Sequence, residues 1–171
     1  SELFFNDVKV PKGNLLGEAG MGFIYLMREL PQERLSIAVS AVAACEAVIQ
    51  ETVKYVKQRT AFGKTIADFQ HTQFKLAELE AEVTVMRVFI DRCAELLVKK
   101  ELSTVEASKA KLLATELQGK VTDQCVQMHG GYGDMWEYPV ARAYADARVQ
   151  RIYGGTSEVM KLIIGRDLLA D

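Results

Sequence analysis

Histidine is almost absent from this chain, and so are the spacings that metal or disulfide chemistry needs. Only His71 and His129 occur in 171 residues, without paired ligand spacing, and no Cys-x-x-Cys is present, so a protein-built metal site is not expected. Cys45, Cys93 and Cys125 are odd in number, far apart and each inside a helical pattern. They are expected to be reduced core residues, which fits an intracellular compartment. No apolar run approaches the ~18 residues of a spanning helix, and membrane insertion is not expected. The opening Ser1-Glu2-Leu3-Phe4-Phe5 has neither the basic leader nor the cleavage site of a signal peptide. A net charge of −2 and a pI near 5.8 give no electrostatic footprint for nucleic acid or an anionic membrane. Serine and cysteine nucleophiles lack an evident histidine partner. What remains is acid–base chemistry by carboxylates, and loops that present backbone donors.

What is present suits a globular domain. Hydrophobic residues make up 49% and charged residues 26%, enough for a core and for solubility, which argues against disorder. Residues 4–10 mix β-formers with Asn6 and Asp7 before a turn at Pro11, Gly13 and Asn14. A lone strand has no ladder partner, so this segment reads as the end of a sheet whose other strands lie outside this chain. Residues 17–22 (GEAGMG) read as a hinge, lacking the strand and glycine spacing of a nucleotide loop.

From Phe23 the pattern turns helical, with Pro31 as a permitted helix start. Apolar or small positions recur at Ala38, Ala41, Val42, Cys45, Val48, Ile49, Thr52, Val53 and Val56, a continuous helical face. After a break at 59–68, marked by Gly63, a second helix carries Leu79, Val83, Met86, Ile90, Cys93 and Leu97. A third, opened by a Ser103/Glu106 capping-box pattern, carries Ala110, Ala114, Leu117, Val121 and Met128 and ends at Gly130, Gly131 and Gly133. Shorter helices are expected over 139–149 and about 156–169. The expected fold is all-α, an antiparallel four-helix bundle with a short N-terminal remnant of a β-domain. The expected division is residues 1–18 for that remnant and linker, and 19–171 for the bundle.

Two glycine-rich turns each join helices: 127–133 (QMHGGYG) and Gly154-Gly155-Thr156. Glycine permits close backbone approach to a ligand, and a helix start offers free N–H groups. Equally, Gly130 or Gly131 suits a helix C-cap and Thr156 an N-cap.

Four blocks carry a resemblance. Arg59-Thr60-Ala61-Phe62-Gly63-Lys64, then Gln70, then Gln127-Met128-His129-Gly130-Gly131, then Tyr153-Gly154-Gly155-Thr156-Ser157-Glu158 resemble the acyl-CoA dehydrogenase family in order and spacing. Gln127, Gly130, Gly131, Gly133, Glu137, Arg142 and Asp146 also match its signature, while Asp134 departs from the apolar or aromatic residue usual there. The likeness covers essentially the whole chain, and Asn14-Leu15-Leu16-Gly17 resembles the exit from the family's middle β-domain. It implies an enzyme with an amino-terminal helical domain, a middle β-domain and a carboxy-terminal bundle. It also implies FAD, with a carboxylate removing the α proton of an acyl-CoA thioester while the β hydrogen leaves as hydride. Such a base needs a raised pKa, and donors must stabilise the developing enolate.

Many family members place the base immediately after the tyrosine of the last loop, where this chain has Gly154. The long-chain and isovaleryl-type members carry it instead in a segment similar to Leu30-Pro31-Gln32-Glu33-Arg34-Leu35, and Glu33 matches. The alternative is a first-turn glutamate favoured by the helix dipole. Gln32, Arg34, Gly154 and Gly155 are the matching substrate-side positions, and Arg34 is also expected to hold the neighbouring loop. For FAD the resemblance implies Arg59, Phe62, Gln70, Gln127, Met128, His129, Gly130, Gly131, Thr156, Ser157 and Glu158. Simpler roles are a loop anchor for Phe62, a helix start for Gln70 and a dipole-complementing acid for Glu158. In the family the first groups reach the FAD of a neighbouring subunit and the last loop its own. A homodimer or homotetramer follows, with electron-transfer flavoprotein as acceptor and the bacterial cytoplasm or mitochondrial matrix as compartment. Two other functions fit the fold: a flavin oxidase or monooxygenase of the same group, and a non-catalytic helical interaction module.

Overall fold

Helix-period burial organises the chain in the computed structural model, which describes residues 2–170. Ser1 and Asp171, the outer ends of the two expected domains, lie outside the described residues. Helix α1 (Gly22–Gln58) leads through a short hairpin, β1 (Thr60–Ala61) and β2 (Lys64–Thr65), into α2 (Gln70–Val98). Helix α3 (Thr104–His129), the short α4 (Pro139–Ala147) and α5 (Ser157–Leu168) complete the fold. Short connections turn α1, α2 and α3 back on one another as an antiparallel bundle, with α5 closing against α3.

The apolar face foreseen for α1 is the one it buries: Ala38, Ala41, Val42, Cys45, Val48, Ile49, Thr52 and Val56 are inside, and Val53 is half-buried. Leu79, Val83, Met86, Ile90 and Cys93 of α2 meet Ala110, Ala114 and Val121 of α3 in the same core. The face of α2 drifts at its end, burying Leu96 more fully than Leu97. Arg87 Nε and Nη2 donate to the two oxygens of Glu46 at 2.8 and 2.7 Å, a two-pronged bond that fixes α1 against α2. The Ser103/Glu106 capping box closes reciprocally, with Ser103 Oγ accepting from the Glu106 N–H at 3.0 Å.

Three expectations need correction. Pro31 does not start α1; the helix begins at Gly22, and Pro31 lies inside it as a residue without an N–H to donate. Residues 2–11 form no strand, as the lack of a pairing strand requires, and their apolar side chains are exposed, Phe4 and Phe5 among them. Finally, α1 is long and apolar enough to cross a membrane by length and composition, because its alanine-rich stretch carries few charges. Its best window is 44% buried inside the fold, and that stretch supplies the bundle core.

The three thiols are free and buried. Burial pushes Cys45 up to about 12 and raises Cys93 and Cys125 as well. In the native protein all three are expected to resist a thiol reagent at pH 8 and to label only on unfolding, read by peptide mass mapping. Labelling of native Cys45 would contradict this burial.

Candidate functional site

The residues singled out from sequence gather into two groups at opposite ends of α1. The first lines a cleft of about 730 Å³ where the end of α1, the hairpin, the start of α2 and the end of α3 converge. Arg59 caps α1 at the cleft edge, its guanidinium 5.4 Å from the centre of the Tyr132 ring. Gln127, Met128, His129, Gly130 and Gly131 line the same cleft, together with Tyr55, His71, Lys75 and Gln124. His129 stacks on Tyr55 with ring centres 4.2 Å apart, and the Tyr55 hydroxyl donates to the His129 carbonyl at 3.1 Å. Burial raises the Tyr55 phenol above its ordinary value, against the pull of Arg59. Nδ1 of His129 lies 2.8 Å from the Cys125 carbonyl, which can only accept, so Nδ1 carries a proton.

Glycine shapes this end of α3. Gly130, at φ 60, ends the helix as a C-cap, so the structural role foreseen for it holds. Gly133 is buried against the Val126 carbonyl, closer than a Cβ could approach. Phe62 and Gln70 do not line the cleft. Gln70 is the first residue of α2. Phe62 anchors nothing inward: it is 96% exposed on the hairpin turn at φ 53, and only Phe69 meets its ring, edge-on at 6.4 Å. A large side chain held out in the left-handed region is strained, with little burial to offset it.

The second group surrounds the turn before α5. Arg34, buried in α1, donates from Nε to the Gly154 carbonyl at 3.2 Å and from Nη1 to Ser108 Oγ at 3.5 Å. Lys111 of α3 is fully buried and donates from Nζ to the Gly155 carbonyl at 2.6 Å. Burial lowers both pKa values; the charge of Arg34 lowers Lys111 further, while Glu33 pulls Arg34 back up. Gly154 and Gly155 sit at φ 65 and 106, and added Cβ atoms would strike Ile37 Cδ1 and Met160 Cε, each at 2.6 Å. The terminal atoms of Ile37 and Met160 could move aside, so it is the positive φ of both residues that calls for glycine here, beside any room it leaves for a substrate.

Thr156 caps α5, accepting from the Val159 N–H at 3.3 Å, as foreseen. Ser157 is buried and donates to Glu116 Oε1 at 2.7 Å. Glu158 is exposed in the first turn of α5, with hydrogen bonds from its own backbone N–H and Thr156 holding its carboxyl below the usual range. Gln32 and Glu33 are exposed beside buried Arg34. Because α1 starts at Gly22, Glu33 lies well beyond the first turn, and the helix dipole does not account for it.

Sequence reading missed Lys111, Ser108, Glu116 and the cleft tyrosines Tyr55 and Tyr132. For Lys111 a signal was present: it stands in register with Ala107, Ala110 and Ala114, on the face of α3 that must be buried.

The chain is thus a helical bundle with a glycine turn held by two buried cations at one end and a basic, aromatic cleft at the other. The chain belongs to the acyl-CoA dehydrogenase family: the family's description "Acyl-CoA dehydrogenase, C-terminal domain" matches residues 20–169. It is 57% identical over its whole length to the mitochondrial long-chain specific acyl-CoA dehydrogenase of Rattus norvegicus, of which it spans 40%. It is 40% identical over 99% of its length to caffeyl-CoA reductase-Etf complex subunit CarC of Acetobacterium woodii, spanning 45% of that protein. A crystal structure of acyl-CoA dehydrogenase from Geobacillus kaustophilus superposes with a TM-score of 0.93 at 49% identity, covering 97% of this chain and 44% of that one.

Replacing Gly133 with Ala is expected to cost about 1–3 kcal/mol, because the backbone at Val126 must move. A lower thermal midpoint would register this; an unchanged midpoint would contradict the close approach.

Proposed function

We propose that this chain is the carboxy-terminal part of an FAD-dependent enzyme that dehydrogenates an acyl-CoA thioester between its α and β carbons, with Glu33 as the base. The observation that carries this reading is the joining of Glu33 to the glycine turn through its neighbour: Arg34, the next residue on α1, is bonded to the Gly154 carbonyl. The loop position where many family members keep the base holds Gly154, and Glu33 stands on α1 one residue before Arg34, which reaches that same turn.

Glu33 takes the α proton. The N–H groups of Gly154 and Thr156 have no hydrogen-bond acceptor among the described residues, and they are available to stabilise negative charge on a thioester oxygen. FAD, when bound, accepts the β hydrogen as hydride. The donor set fits that cofactor: Arg59 and Lys75 offer positive charge for a pyrophosphate, Gln124 and Gln127 offer amide groups, and Tyr55 and Tyr132 offer aromatic faces. Gln32 and Arg34 stand on the substrate side, and Thr156, Ser157 and Glu158 on the flavin side of the turn.

The two groups serve different flavins. From Arg34 to Arg59 the rise of α1 amounts to about 37 Å, longer than one FAD. The family resemblance implies that the cleft with Arg59 and residues 127–131, the exposed Phe62 and Gln70 reach the flavin of a neighbouring subunit and the glycine turn that of its own, and the separation along α1 supports that division. Phe62 at 96% exposure fits such a contact. A homodimer or homotetramer follows. Residues 1–18 are read as the end of a middle β-domain and 19–171 as the bundle domain. The relative named as an Etf-complex subunit supports electron-transfer flavoprotein as partner. The cytoplasm of a bacterium or the mitochondrial matrix is the compartment that fits the relatives.

The test uses the complete polypeptide that contains this chain. It is loaded with FAD and mixed without oxygen with acyl-CoAs of several lengths and branch patterns, while flavin absorbance is followed. Glu33→Gln is expected to keep FAD and lose bleaching by at least ~100-fold, the scale of a lost general base. Bleaching at the parent rate would remove Glu33 from the role.

A further inference from the structure

We propose that Lys111 is a positioning residue for the reaction, orienting the glycine turn from α3 while Arg34 orients it from α1; this rests on the function proposed above. Lys111 is fully buried, and its ammonium makes one hydrogen bond, to the Gly155 carbonyl at 2.6 Å. Arg34 holds the preceding carbonyl, that of Gly154, at 3.2 Å. Two buried cations from different helices thus pull two consecutive carbonyls toward the bundle interior.

Peptide planarity converts that pull into an orientation. In a trans peptide the N–H points opposite to the carbonyl of the same unit. No cis bond occurs among the described residues. Drawing the Gly154 carbonyl onto Arg34 therefore aims the Gly155 N–H away from the bundle. Drawing the Gly155 carbonyl onto Lys111 does the same for the Thr156 N–H. The Thr156 N–H has no hydrogen-bond acceptor among the described residues, and the Gly155 N–H closes the 152–154 turn only loosely, without a bond of good geometry. Glycines at φ 65 and 106 would otherwise leave these peptides free to turn over, since glycine tolerates both hands of the backbone.

The setting argues against a purely structural anchor. Desolvation works against the charged form of Lys111, and Arg34 adds like-charge repulsion. Glu116 and Glu158 favour its charge only in part, since Glu116 is engaged by Ser157 and Arg151 and Glu158 is exposed. The desolvation cost of a buried charge offsets much of what its one hydrogen bond contributes, so removing Lys111 changes stability only modestly even though the Gly155 carbonyl loses its donor. Stability and positioning therefore make different forecasts for Lys111→Met.

The complete FAD-loaded protein and its Lys111→Met variant are compared in four measurements: FAD content, thermal midpoint, hydrogen exchange over residues 152–160, and anaerobic flavin reduction at varied acyl-CoA concentration. The expected result keeps FAD and keeps the midpoint within a few degrees. Exchange over 152–160 becomes faster, and the limiting reduction rate falls about 10- to 100-fold, the scale of a misplaced donor. The acyl-CoA concentration for half-maximal rate stays within about threefold, because ground-state binding is largely kept. A parent-like rate and parent-like exchange would overturn the role, as would a variant whose rate falls only in step with lost FAD and a lowered midpoint. A parent protein that no acyl-CoA bleaches overturns the proposed reaction and this role together. A bleached parent with an unaffected variant overturns Lys111 alone.

Discussion

The packing of α1 on α3 through small side chains is the constraint on which the rest depends. Ala38, Ala41 and Cys45 on one helix, and Ala107, Ala110 and Ala114 on the other, are wholly buried. Small residues let two helices approach closely along much of their length, and each then delivers side chains to shared points at both ends. At one end the pair brings Arg34, Ser108 and Lys111 to the glycine turn. At the other it brings Tyr55 and His129 into a stack and leaves Arg59 at the mouth of a cleft. A larger side chain at Ala110 or Ala114 would part the helices and disturb both ends together.

The same geometry explains why the proposed base can sit on a helix rather than on the loop. What deprotonation needs is a carboxylate at a fixed distance from donors that stabilise the enolate, whatever the chain position of either. Arg34 couples the two, because its backbone adjoins Glu33 and its guanidinium holds Gly154. The loop then keeps glycine at 154 and 155, where φ is positive. Position and backbone conformation at the turn are thus set by side chains on α1 and α3.

Much of this was legible in the sequence, and the physical reasons differ by element. The faces of α1, α2 and α3 were readable because three- and four-residue spacing reports burial directly. The Ser103/Glu106 and Thr156 caps were readable because capping is local chemistry. The helical onset near Phe23 was readable, but the unbroken run of α1 through Pro31 was not, since Pro31 looks like a first-turn residue and residues 22–30 carry no clear buried face. Glu33 and Gly154 were identified through family resemblance, and spacing alone would have passed over both. Lys111 escaped because lysine is ordinarily read as solvated; its place among alanines on α3 was the missed sign. Phe62 was placed in a loop correctly, but its full exposure is a tertiary fact that no local pattern encodes.

The central claim is that the α1 carboxylate and the pinned glycine turn face one thioester. A crystal structure of the complete FAD-loaded protein with an unreactive acyl-CoA analogue tests it most directly. The account requires a Glu33 oxygen within about 3.5 Å of the α carbon, with N–H groups of the 154–156 turn directed at the thioester oxygen. A different carboxylate at the α carbon, with Glu33 left in solvent, would contradict it.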